Sequence, residues 1–368
     1  MQSLQVCREV NRTMTPYLLL LLFVVVLAYV GRRSGNEGVR RVSIGTLMLA
    51  LVAFAGLRDF QVGTDTSNYV HMLMFSESFD SVTAQGTEVG YNFLAWVARN
   101  VSESYTALLL MIAALVVSCY VPTIVKLTHR YETALYLFIT LGIYTFFFNG
   151  ARQGIAAAIC FAAIPFLLQR RLPPYFMLVV LASLFHQTAW IALVLYPLAA
   201  RRADWRRLVA LGGATVAAVV FLQVFVGFAA EMLDDKFAAY AEGGDGGGQI
   251  LVAFLVGQGA MLYLLKGKVR DPEGHYGRLL NIYLIGLVPV LASTLSGVNP
   301  SGVLRLHLYF SPVAILLWPM VFLHLRDRSL RGVLALGFVG VTLLLFLLTT
   351  SAFSGLVPYG FNPEIVPW

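Results

Sequence analysis

Apolar and polar positions fall in long blocks along this chain rather than in the short alternation of a soluble fold. Apolar runs occupy about 16–31, 43–57, 104–125, 133–149, 153–168, 173–185, 187–200, 208–229, 250–265, 279–297, 306–325 and 332–350. A bilayer-crossing helix needs roughly 20 such residues, and a helix is one of the few structures that can satisfy its backbone there. The pattern predicts an all-α polytopic membrane protein of about 12 transmembrane helices. It reads as a single integral membrane domain over 1–368, with outer loops at about 58–103 and 230–249 and an outer tail at about 351–368.

Charge then orients the runs. Only 12% of the 368 residues are charged, about half the share in soluble domains. Basic residues mark cytoplasmic loops. With the loop Arg32-Arg33 to Arg40-Arg41 taken as inside, strict alternation puts 19 of the 26 Lys and Arg on that side, while 13 of the 19 acids fall outside. The net charge of +7 is thereby explained without nucleic acid, and both termini fall outside. The same count divides the nearly continuous stretch 173–200. A single crossing there would reverse every later loop, whereas a short hairpin pair with His186 at its turn keeps Arg170/Arg171 and Arg201–Arg207 inside. At 1.5 Å per residue each limb reaches only about 20 Å, so His186 would sit below the outer surface.

Several features are set aside. Cys7, Cys119 and Cys160 are scattered, so neither a disulfide framework nor a CxxC metal site is available. The first apolar run ends at Arg32-Arg33 without an A-x-A-like site, which reads as a retained helix. Gly243-Gly244-Asp245-Gly246-Gly247-Gly248 lacks the Lys-Ser/Thr and strand-to-helix context of a phosphate loop. Asp234-Asp235 has no third ligand nearby.

The remaining polar residues resist a bland reading. Arg58-Asp59-Phe60-Gln61-Val62-Gly63-Thr64-Asp65-Thr66-Ser67-Asn68-Tyr69 packs two acids, an arginine and several hydroxyls directly behind an apolar run. Glu88 and Tyr91 follow in the same loop. Arg152-Gln153 sits where the fourth and fifth runs meet, after the aromatics Tyr144–Phe148; Arg305 begins the eleventh run, and Tyr359 lies in the tail. A juxtamembrane Arg is also explained as a headgroup anchor, a lone His as packing, and a loop Glu as solvated surface. Charge at membrane depth is nevertheless costly and usually functional, and six distant segments deliver these groups to one side. Guanidinium groups suit phosphate or pyrophosphate; a carboxylate or imidazole can take a proton from a sugar hydroxyl.

Leu57-Arg58, Val62-Gly63-Thr64-Asp65, Asn68-Tyr69, Glu88-x-Gly90-Tyr91, Arg152-Gln153-Gly154-Ile155-Ala156, Leu181–Ala189 around His186, and Arg305-x-x-x-Tyr309-Phe310 together resemble the EpsG family over about residues 45–360. Thr188 departs mildly, standing where Ser is expected, but keeps a hydroxyl. The resemblance implies a Wzy-like polymerase of bacterial exopolysaccharide, capsule or O-antigen synthesis. It further implies a GT-C-like glycosyltransferase in the inner membrane, working on the periplasmic side without a metal or other cofactor. Its donor and acceptor would be undecaprenyl-pyrophosphate-linked glycans, its surroundings membrane lipid, and its neighbours a chain-length regulator and a flippase of the same pathway. On that expectation Arg152 and Arg305, helped by Arg58, hold the donor pyrophosphate. Asp65, Glu88 or His186 is the base, and Tyr69, Tyr91, Gln153 and Tyr359 contact substrate. A flippase for the same lipid-linked oligosaccharide and an O-antigen ligase are the alternatives; one-sided charge and the lack of an inverted repeat speak against the flippase.

Overall fold

The helices start and stop where local chemistry dictates. In the computed structural model the described residues are 2–74, 88–199, 204–232, 248–271, 273–296, 301–325, 327–363 and 365, with side chains described except at 2–13, 223–232, 301 and 353. The first helix, α1, runs Gln2–Arg33. The second, α2 (Glu37–Gly56), is capped by Asn36, whose carboxamide oxygen accepts from the backbone of Gly38 and Val39; Glu37 in its first turn pairs with Arg40 and Arg41. A short helix α3 (Thr66–Met74) follows the polar segment. Then come α4 (Val89–Val101), α5 (Thr106–Leu127) and α6 (Tyr131–Thr140). Gly142, at φ +72°, breaks the next apolar run before α7 (Ile143–Asn149), and Gly150 separates α7 from α8 (Ala151–Ala162).

The chain continues through α9 (Ile164–Leu168), α10 (Leu172–Ser183), a 3₁₀ stretch Gln187–Val194 and α11 (Leu195–Ala199). After α12 (Trp205–Met232), α13 (Gln249–Leu265) and α14 (His275–Leu295) comes α15 (Ser301–Leu304). Two 3₁₀ turns, Arg305–Tyr309 and Ser311–Val313, lead into α16 (Ala314–His324). Asp327 caps α17 (Arg328–Leu348), which ends in a π-helical turn Thr349–Phe353. Among the described residues the only β pairings are two isolated bridges, Arg58 with Phe361 and Val269 with Leu325.

The chain is a multi-pass helical membrane protein, but fewer helices pass the length test than the apolar runs predict. Among the described residues eight helices are long and apolar enough to cross a bilayer. The pair Gly302–Tyr309 and Ser311–His324, bent by 41°, would make a ninth. Runs at 173–185, 187–200 and 250–265 form only the shorter helices Leu172–Ser183, Gln187–Ala199 and Gln249–Leu265. The expected break at His186 is present, and the segment after it begins in 3₁₀ geometry. The Gly-rich run up to Gly247 and Asp234-Asp235 lie outside the described residues.

The helices form two compact units. In the first, α2 packs on α1 and α5, and α5 on α8. Water-driven burial supplies little association energy between helices in lipid, so close approach at small residues matters more. A Cβ on Gly56 would lie 2.8 Å from the Leu110 Cα, and one on Gly154 2.5 Å from the Phe147 Cβ. The basic end of this unit is tied by Arg32 to Glu132 at 2.8 Å. Because α2 and the α6–α7 pair begin at that end, the segment after Gly56 and the α7–α8 junction lie at the other. In the second unit α14 is the central packing partner, with Gly286 against Phe310 and Asn281 fully buried, donating to the Leu198 carbonyl at 2.5 Å.

Candidate functional site

The polar segment behind α2 is folded against two other pieces of the first unit. Gly63 takes φ +100° and donates its N–H to the Gly355 carbonyl at 2.8 Å. Thr66 donates to Phe148 O at 3.0 Å and to Val62 O at 2.8 Å. The tail runs alongside: Asp59 N–H reaches Gly360 O and Asn362 N–H reaches Leu57 O, both at 2.8 Å.

Arg58 lies inside this knot. It is 1% exposed and donates from Nη1 to Ala55 O, from Nη2 to Thr66 Oγ1 at 3.3 Å and from Nε to Val62 O at 3.4 Å; its guanidinium sits 4.2 Å from the centre of the Phe148 ring. Burial pushes its pKa down to about 10, against the pull of surrounding tyrosine hydroxyls. The enclosed cation ties the segment to the end of α2 and to the Phe148 ring. Tyr359 is likewise spent internally. Its hydroxyl donates to Phe54 O at 2.7 Å, its ring stacks on Phe54 at 4.2 Å, and burial raises its pKa.

Six expected site residues come together around the start of α8. Arg152 Nη1 donates to Glu88 Oε2 at 2.6 Å, with the arginine side chain 32% exposed and the carboxylate 14%. Tyr69, on α3, accepts from the Ala151 N–H at 3.2 Å and lies within hydrogen-bonding reach of the Arg152 side chain. Burial raises the Tyr69 pKa, while Arg152 pulls it the other way. Tyr91 packs its ring 5.6 Å from that of Tyr69, and its own hydroxyl is buried without a partner among the described residues. Asp65 precedes α3, half-buried, with Oδ1 3.4 Å from the Thr64 hydroxyl, and its charge is felt at Tyr69. Gln153 is buried in the first turn of α8.

His186 joins through the backbone. Gly90 donates its N–H to Leu184 O at 2.7 Å, so the start of α4, which carries Glu88, is seated on the turn that carries His186. Only glycine allows this, because a Cβ at residue 90 would meet the same oxygen at 2.7 Å. On His186, Nδ1 lies 3.3 Å from the Thr188 N–H and 2.7 Å from the Thr188 hydroxyl. An amide can only donate, so Nδ1 is the acceptor and the neutral ring carries its proton on Nε2.

Arg305 belongs to the second unit, exposed at the first position of the 3₁₀ turn Arg305–Tyr309. Asn149 was missed from sequence, although it stands at the α7–α8 break; its carboxamide touches two of the segments just described. Among the described residues no three His, Cys, Asp or Glu side chains gather to hold a metal ion.

The model of the EpsG family matches residues 41–361. No curated protein and no solved structure matches the chain significantly.

Proposed function

The chain belongs to the EpsG family of Wzy-like polysaccharide polymerases, and on that premise we propose that it joins undecaprenyl-pyrophosphate-linked oligosaccharide repeat units on the periplasmic face of the bacterial inner membrane. The product would be an exopolysaccharide, capsule or O-antigen chain, made by a GT-C-like transferase. The observation that carries this reading is the partly buried Arg152–Glu88 pair, set beside Tyr69 at the first turn of α8. The periplasmic assignment is supported by the basic flanks of α1, α2 and α6, which cap the opposite end of the same helices.

In the proposed reaction the acceptor sugar hydroxyl attacks the anomeric carbon of the donor glycan. The bond from that carbon to the pyrophosphate oxygen breaks, the lipid pyrophosphate leaves with the electron pair, and the hydroxyl proton passes to a base. Arg152 neutralises the charge developing on the leaving group, with Glu88 fixing the guanidinium through Nη1 and leaving its other edge for phosphate. Asp65 is the favoured base. Glu88 is engaged on Arg152, and His186 Nδ1 is engaged by Thr188. Tyr69, Tyr91 and Gln153 line the same region, and Arg305 is proposed as a further substrate contact.

Purified protein in liposomes, supplied with lipid-linked repeat units alone, tests the reading. A ladder of lengthening glycans is expected, lost in Arg152→Ala and Asp65→Asn. Translocation without a ladder identifies a flippase, and transfer that appears only once a lipid A core is added as acceptor identifies a ligase; either result overturns the proposal.

A further inference from the structure

We infer that Asn149 is a positioning residue that uses the C-terminal segment as a strap to fix the Asp65 segment against the helix start bearing Arg152. Asn149 is the last residue of α7, three positions before Arg152. Its Oδ1 accepts from the Thr64 N–H at 2.8 Å, and its Nδ2 donates to the Ser354 carbonyl at 2.7 Å. These two bonds determine which way the carboxamide faces, since the amide on one side can only donate and the carbonyl on the other can only accept. One side chain thus joins the residue next to Asp65, the helix break before Arg152, and the tail.

The surrounding geometry leaves this bridge little slack. Gly63, at φ +100°, has room for no side chain: a Cβ would lie 2.6 Å from Asn149 Oδ1 and 3.1 Å from Phe148 O. Gly355, at φ +59°, hands its carbonyl to the Gly63 N–H at 2.8 Å, and a Cβ there would meet the Thr64 methyl at 3.0 Å. The strap is anchored beyond the bridge as well. Tyr17 donates to Leu356 O at 2.6 Å and Asn362 Nδ2 to Thr106 Oγ1 at 2.8 Å. A tail bonded to Asn149 at Ser354 and tied again at Leu356 and Asn362 resists the movement that would let Asp65 drift from Arg152.

The inference rests on the proposed polymerase reaction, and the wild-type ladder is its control. Asn149→Ala removes both bonds. Asn149→Asp keeps the acceptor for Thr64 N–H but sets an oxygen against the Ser354 carbonyl, and Gly355→Ala strains the strap from the other side. A displacement near 1 Å away from the reacting atoms can cost about 100-fold in rate. The expected result for Asn149→Ala is therefore a fall in kcat of roughly 10- to 100-fold with KM for the lipid-linked donor within about threefold. Asn149→Asp should be intermediate, and Asn149→Ala/Gly355→Ala no worse than the weaker single variant, because both act through one bridge. Melting temperature and elution profile are read on the same samples. A residue that served only the fold would lower the amount of folded protein and leave kcat per folded molecule unchanged; that outcome overturns the inference, as does a multiplicative double variant. If Asn149→Ala does not accumulate, the Asn149→Asp and Gly355→Ala pair carries the same comparison. A wild type that makes no ladder refutes the polymerase reading instead.

Discussion

Gly90→Ala is the sharpest single perturbation the site offers, because the added atom has nowhere to go. The new Cβ would lie 2.7 Å from the Leu184 oxygen, 2.9 Å from its carbonyl carbon and 3.1 Å from its Cβ. Ordinary contact begins at 3.4 Å, so the two backbones must separate by about 0.7 Å along that line, and backbone cannot rotate aside as a side chain can. The Gly90 N–H to Leu184 O bond, 2.7 Å at present, is weakened in the same movement. Its loss is worth about 1 kcal/mol, and the overpacking about 1–3 kcal/mol. The functional effect should exceed the stability effect. Glu88 lies two residues before Gly90, and its 2.6 Å bond to Arg152 would be lengthened or tilted, while the His186 turn is pushed the other way. A 10- to 100-fold drop in kcat is expected, with a melting point lowered by a few degrees. The assay is single-round elongation of lipid-linked repeat units by purified protein, alongside a thermal scan. Activity within twofold of wild type in a well-folded Gly90→Ala protein would refute the claim that this contact seats the site.

Other variants separate the roles of the remaining residues. Arg152→Lys should recover little of the activity lost in Arg152→Ala, since a single ammonium cannot hold Glu88 and phosphate through opposite edges of a planar fork; chain-length ladders measure it. Arg58→Met should destabilise by about 1–3 kcal/mol, leaving buried carbonyls without donors. The surviving folded protein should keep its KM for donor, whereas an Arg58 that gripped pyrophosphate would raise it. Tyr91→Phe removes a hydroxyl that has no partner among the described residues, so the fold should be unharmed in a thermal scan. Burial raises the Tyr91 pKa above the ordinary 10.0, so above pH 10 the folded state binds more protons than the unfolded one and stability falls as pH climbs. Tyr91→Phe should flatten that alkaline decline in a urea titration across pH 9–11, and an unchanged slope would count against the burial.

How much of this was legible beforehand depended on the type of signal. Apolar blocks located the long helices, because a run such as Leu108–Ile124 can satisfy its backbone in lipid as a helix; α3 and α4, by contrast, fall in the stretch 58–103 that reads as an outer loop. Span number was harder. The limbs on either side of His186 were expected to be short from the charge count, but they and the run 250–265 form helices of only 10–17 residues, and apolarity alone does not set a helix's length. Arg152 and Glu88 were visible as charges out of place, and the fold pairs them at 2.6 Å. Arg58 carried the same signal for a different reason: its charge is enclosed by carbonyls, a hydroxyl and an aromatic ring, and a sequence does not tell a guanidinium that faces a ligand from one that faces Ala55 O. Asn149 was invisible because an Asn before a Gly reads as a helix end. Its bonds to Thr64 and Ser354 span 85 and 205 residues, and no local pattern encodes contacts that distant.

The glycines explain why these polar groups can be held in a protein that gains little from helix burial in lipid. At Gly90, Gly150, Gly154 and Gly63 the absence of a side chain lets backbone or ring atoms approach to distances that a Cβ would forbid, where dispersion and hydrogen bonding are strongest. Each contact borders a candidate site residue: Gly90 is two residues from Glu88, Gly150 and Gly154 flank Arg152, and Gly63 is two residues from Asp65. Such contacts are short-ranged and tolerate no retreat, so they fix the Arg152–Glu88–Tyr69 geometry more tightly than a loose apolar interface of equal area could. Substituting any of the four for alanine should consequently lower kcat more than it lowers stability. A glycine remote from the site, such as Gly212 or Gly337, where a Cβ meets open space, should accept alanine with neither effect. Equal losses in both groups, measured by the same elongation assay, would mean that the glycines serve the fold alone.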